Sequence, residues 1–154
     1  PAQAAAADWA PCEAILEEQD NPSKVRELLL KNACRAAAVR EWTASDGTRT
    51  QIRLLRFGSS AEGWDTFSVL HADSTPAKAA PEAETVPHRD WDTVDGVDLT
   101  VKEPKATAAK GAPATRMAYL SASDVVAVIT MTNPHGVPAA AFRQVVTLQS
   151  DLLA

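Results

Sequence analysis

The chain has 154 residues, 45% apolar and 23% charged, with a net charge of −5. That is the size and composition of one globular domain, able to bury roughly 68–70% of its unfolded surface. The acidic balance and the lack of a basic stripe with interleaved aromatics exclude a nucleic-acid surface, and no apolar run approaches the ~18 residues needed to span a membrane.

The N-terminal PAQAAAA is low-complexity and cannot pack a core. Residues 1–8 therefore read as an alanine-rich linker, left after a removed signal or anchor or at an arbitrary cut, with residues 9–154 as a single domain. Cys12 and Cys34 are the whole cysteine set. An even count beside a linker predicts a disulfide and an oxidising, extracytoplasmic compartment. Such a bridge contributes about 3 kcal/mol in the chain-entropy model.

A short helical piece is expected over Glu13–Gln19, broken by Asp20-Asn21-Pro22. Asn21 as N-cap and Pro22 at the first helical position then open a helix to about Lys31, with Val25, Leu28 and Leu29 as its apolar stripe. Ala36–Ala44 and Arg49–Phe57 flank Ser45-Asp46-Gly47-Thr48, and Asp-Gly between alternating runs predicts a β-hairpin. In its second strand Ile52 and Leu54 share one face, and Leu55 and Phe57 the other. Ser59 and Glu62 have capping-box spacing for a helix to about Ala72, lined by Trp64, Phe67 and Leu70 and interrupted by Gly63.

Residues 73–87 and 104–115 are rich in Ser, Thr, Pro and Ala and are expected to be flexible loops. Strands are predicted at Val97–Glu103, Arg116–Leu120 and Val125–Thr132. In the last, Val125, Ala127, Ile129 and Met131 face one way and Val126 and Val128 the other, so it belongs in the interior of a sheet. A final amphipathic helix starts near Pro138, with Phe142, Val145, Val146, Gln149, Leu152 and Leu153 on its buried side. The expected fold is α+β: a mainly antiparallel sheet of about five strands with helices packed on it, the C-terminal helix completing the core.

Motifs that carry chemistry are weak. His88-Arg89-Asp90 matches three letters of a kinase catalytic loop without the rest of it. Asp90, Asp92, Asp95 and Asp98 are dense in carboxylates but miss calcium-loop spacing, with Val94 and Val101 at ligand positions, so no metal is expected. The three histidines are scattered. No catalytic residue and no cofactor is assigned. Trp42 and Trp64 fall on elements and are expected in the core, whereas Trp9 and Trp91 lie near loops. Trp91 is a candidate ligand contact, since an aromatic on a loop offers large apolar area at low entropy cost. Arg49, Arg53 and Arg56 are candidates for an anion-binding sheet face, or else a solvated one.

The tail RMAYL-SASD-VVAVITMT-NPHG-VPAAAFRQVVTLQSDLLA resembles the end of the extracellular sensor domains on actinobacterial serine/threonine kinases and of related lipoproteins. The resemblance implies an antiparallel sheet with packed helices, disulfides and a ligand cleft. This chain departs in having two cysteines where the kinase sensors carry more, and it contains no kinase domain. The combined expectation is a non-catalytic extracytoplasmic sensor or ligand-binding domain, with a membrane tether ahead of Pro1. Its partner would be a small ligand, a cell-wall component or a protein. The alternatives are a partner-docking module and an enzyme of unrecognised class.

Overall fold

The computed structural model describes residues 3–4, 8–19, 21–73, 83–86, 96–104 and 113–154. In chain order the elements are β1 (Gln3–Ala4), β2 (Asp8–Ala10), a 3₁₀-helix (Cys12–Glu18), α1 (Pro22–Lys31), β3 (Ala36–Thr43), β4 (Arg49–Arg56), α2 (Ser60–Asp73), β5 (Ala83–Val86), β6 (Val97–Pro104), β7 (Thr115–Ala122), β8 (Val125–Thr132) and α3 (Ala139–Leu153). The architecture is α+β. An eight-stranded antiparallel sheet runs β1-β3-β4-β8-β7-β6-β5, with β2 also paired to β3.

β8 lies inside this sheet. It pairs with β4 from Arg49↔Thr132 to Arg56↔Val125 and with β7 from Thr115↔Thr132 to Ala122↔Val125. Its alternation places Val126 and Val128 in a core with Leu55, Phe57, Met117 and Tyr119, beneath Ile15, Val25, Leu28, Phe67 and Leu70 of the 3₁₀-helix, α1 and α2. Ala127, Ile129 and Met131 face the opposite core, with Ile52, Ala118, Leu120 and the Phe142 and Val146 side chains of α3. The two-sided apolar pattern is thus matched by helical cover on both faces.

Local chemistry holds the ends together. The Cys12–Cys34 disulfide forms, with Cα atoms 6.3 Å apart, and ties the start of the 3₁₀-helix to the chain beyond α1. The Asn21 side chain accepts the Lys24 N–H at 3.4 Å as the N-cap of α1. In the β3–β4 turn Gly47 has φ +89°, a left-handed conformation suited to glycine, and Asp46 Oδ1 accepts the Thr48 N–H at 2.9 Å. Buried Asn133, from the Asn-Pro-His-Gly turn after β8, donates to Thr48 Oγ1 at 3.1 Å and to the Asp46 carbonyl at 3.4 Å. Two turns 85 residues apart in sequence are stitched by this one amide.

The structure corrects several expectations. The sheet has three short strands beyond the five expected. β1 pairs Gln3 and Ala4 with Thr43 and Trp42, and so falls within the stretch read as linker, as does the first residue of β2. β5 lies inside the segment 73–87 that was expected to be a loop. Short edge strands form by backbone pairing and need no apolar period, so the pattern does not announce them. The Glu62 carboxylate reaches one residue further back than a capping box, accepting the Gly58 N–H at 2.9 Å, while Ser59 Oγ accepts the Glu62 N–H at 3.3 Å. Trp64 is half exposed and sets its ring at a tilt against Phe67 instead of entering the core. Leu152, expected on the buried stripe of α3, is 78% exposed.

Gly63 lets α2 lie close against the β7–β8 turn: a Cβ there would sit 2.8 Å from the Ser123 carbonyl oxygen. Both partners are backbone-anchored, so neither yields cheaply. Gly63→Ala should lower the unfolding free energy by about 1–3 kcal/mol, against the gain in helix propensity, as read by urea denaturation. A stabilised variant would show that α2 can shift outward at no cost.

Candidate functional site

The three arginines do not share one face. Side chains alternate along a strand, so Arg49 and Arg53 lie on the side of Leu55, beneath α1 and α2, and Arg56 on the side of Leu54, which faces α3. Arg49 pairs with Glu41 at 3.1 Å and Arg56 with Asp124 at 3.2 Å, both at exposed positions. Arg53 is buried, so a solvated face does not describe it. Any anion held by Arg49 and Arg53 would be separated from Arg56 by the sheet. Trp91, His88, Asp90, Asp92 and Asp95 lie outside the described residues. Among the described residues no three His, Cys, Asp or Glu side chains group as metal ligands, and no helix is long and apolar enough to cross a membrane.

Glu41 is the hub of the polar patch on β3 and β4. It accepts from Gln51 Nε2 at 2.7 Å and from the Arg49 guanidinium at 3.1 Å. The Gln51 hydrogen bond lowers its carboxyl most, burial opposes it with the next largest effect, and the bond and charge of Arg49 and the charge of Arg53 add to the lowering, so the group is held below the usual glutamate range.

The other face carries a groove of about 640 Å³ between α3 and the β3–β4 side of the sheet. α3 packs over β7 and β8, leaving Ala38, Trp42 and Leu54 only partly covered on the same face, with buried Ile52 between them. Val145, Leu148, Leu152 and Leu153 of α3 form the opposing wall. Leu148 is 55% exposed and Leu152 78%, and together they make an apolar lip. Trp9, 80% exposed, lies opposite Ala38 across the β2–β3 pairing and extends the apolar surface past β3 on that face. An isolated exposed leucine needs no explanation, but apolar side chains converging on a concavity mark a binding surface.

Two polar groups interrupt the apolar lining. The Arg40 guanidinium sits 5.7 Å from the centre of the Trp42 ring, within cation–π range. Gln149 lines the groove at 8% exposure, and its side chain makes no hydrogen bond with a described residue. The amide is not sealed off in the open groove, but an occupant that covered it without a polar group of its own would strip it of solvent at a cost. In sequence Trp42 and Gln149 look like ordinary buried side chains, and nothing local marks Ala38, Arg40 or Leu148 singly. A signal was present in α3. Its apolar residues, with Leu148 included, spread wider than one face buried against a sheet requires.

No known protein family matches the sequence, and no curated protein matches it. Among solved structures it is similar to the extracellular domain of PknH from Mycobacterium tuberculosis, over 98% of this chain and 85% of that one, at 9% identity and a TM-score of 0.49. This is a weak likeness of fold.

Two outcomes follow from the geometry. A carboxyl held low in the folded state stabilises it above its unfolded pKa, and the contribution disappears as pH falls through the lower folded value. Acid unfolding followed by circular dichroism should therefore show Glu41→Gln shallower than the parent in its low-pH limb, and an unchanged limb would remove Glu41 from the account. Gln149→Leu should raise the unfolding free energy by up to about 1 kcal/mol by replacing a largely covered side chain that hydrogen-bonds no described residue with an apolar one. A fall in denaturation midpoint would mean that the amide is already satisfied.

Proposed function

We propose that this chain is a non-catalytic, extracytoplasmic sensor or ligand-binding domain whose site is the groove between α3 and the β3–β4 side of the sheet. The groove carries the reading. Its size lies in the range of small-molecule sites (roughly 300–1,000 Å³) and its composition is theirs, apolar walls with a few placed polar groups. The compartment is supported by the disulfide, since such bridges persist where the surroundings are oxidising. The sensor-like pattern of the tail fits the same role. Exposed Trp9, Leu148 and Leu152 also support a second reading, a face that docks a protein partner.

A fluorescent naphthalene dye separates these readings when titrated into the native protein. The groove should take it up saturably at one site, and Leu148→Glu with Leu152→Glu should weaken uptake by about tenfold or more, because each leucine contributes roughly 1.5–3 kcal/mol when fully covered. Both positions are exposed, so the fold should survive the change. Absence of saturable uptake by the parent protein would overturn the groove as a ligand site. Concentration-dependent dimerisation in sedimentation, lost in the double variant, would favour the docking face.

A further inference from the structure

The two polar groups in the groove narrow the chemistry of its occupant, given the reading of the groove as a ligand site. We propose that the ligand is a single-chain amphiphile: an aliphatic body, a hydrogen-bonding linkage such as an ester or amide, and an anionic head. Three observations carry this together.

The walls are aliphatic. Ile52, Leu54, Val145, Leu148, Leu152 and Leu153 offer methyl and methylene surface along the length of the groove, and Ala38 leaves its floor low. A chain of methylenes gains from contact with such walls in proportion to the area covered and needs no directional partner.

Gln149 supplies the direction. The residue is 8% exposed and lines the groove, and its amide, which stays open to solvent there, has no hydrogen-bond partner among the described residues. A purely hydrocarbon occupant would displace the remaining water and leave that amide unmet, at a cost comparable to the gain from several methylenes. An occupant with a carbonyl or N–H beside its chain satisfies the amide where water cannot compete.

Arg40 supplies the charge. It is the one charged residue among those lining the groove, in a protein whose net charge is −5. It makes no ion pair with a described residue. Its guanidinium is held over the Trp42 ring, and a guanidinium stacked in this way keeps its N–H edge available to a carboxylate or phosphate. The side chain is exposed, so it serves a head group at the mouth rather than a buried charge.

The test uses three probes in calorimetric titration of the native protein, below their aggregation concentrations: N-palmitoylglycine, its methyl ester, and stearate. The first has chain, amide and carboxylate; the second lacks the charge; the third lacks the amide. N-palmitoylglycine should bind about tenfold tighter than either of the others. Arg40→Gln should bring the acid level with its methyl ester, and Gln149→Leu should bring it level with stearate. Thermal unfolding of both variants verifies that the fold is kept. Equal binding of all three probes, unchanged in both variants, would overturn the amphiphile while leaving an apolar groove in place. Failure of every probe, with dye uptake intact, would overturn it in the same way. Failure of probes and dye alike would remove the groove as a ligand site.

Discussion

Pairing of β8 with β4 on one edge and β7 on the other is the constraint on which the remainder depends. β6, β7 and β8 follow one another along the chain, and β3 and β4 form a separate hairpin. The β4–β8 ladder joins these two units across some seventy residues of sequence, so the sheet exists as one body only through it. Because β8 is apolar on both sides, this junction also requires two separate cores. Each core then recruits its own helices. The 3₁₀-helix, α1 and α2 cover one face, with the first two held together by the Cys12–Cys34 bridge, and α3 covers the other.

The two covers are unequal, and the candidate site follows from that inequality. A helix with its side chains is about 10–12 Å wide and strands lie about 4.8 Å apart, so one helix shields roughly two strands. α3 is the only helix contributing to its core among the described residues, and it sits over β7 and β8. The β3–β4 side of the same face is therefore left with apolar residues and no helix above them. Those positions cannot simply become polar, since Ile52 and Trp42 also pack against the second core. A groove is the outcome of burying one edge of an apolar surface while leaving the other open.

How far this was legible in the sequence depends on the range of the interaction involved. The Asp46-Gly47 hairpin, the Asn21-Pro22 helix start and the two-faced strand Val125–Thr132 are set by neighbours within a few residues, and each formed as the local pattern requires. The disulfide was legible by elimination, two cysteines having one pairing. Trp64 was misplaced because a position on an amphipathic helix says which residues share a face, and not how far the opposing surface extends. Leu152 failed for the same reason. Arg49, Arg53 and Arg56 look alike in sequence, yet strand alternation and partners on other elements separate them into an ion pair to Glu41, a buried cation and an ion pair to Asp124.

Sequence alone determined the element types, most of the strands, the antiparallel character of the sheet and the two-sided burial of its central strand, because periodicity, turn residues and caps act over short separations. Tertiary structure decided which hairpin meets which meander and how much of each face the helices cover. It also decided that Gln149 and Arg40 border one cavity. These depend on widths and distances between elements far apart in the chain, and no local pattern encodes a width.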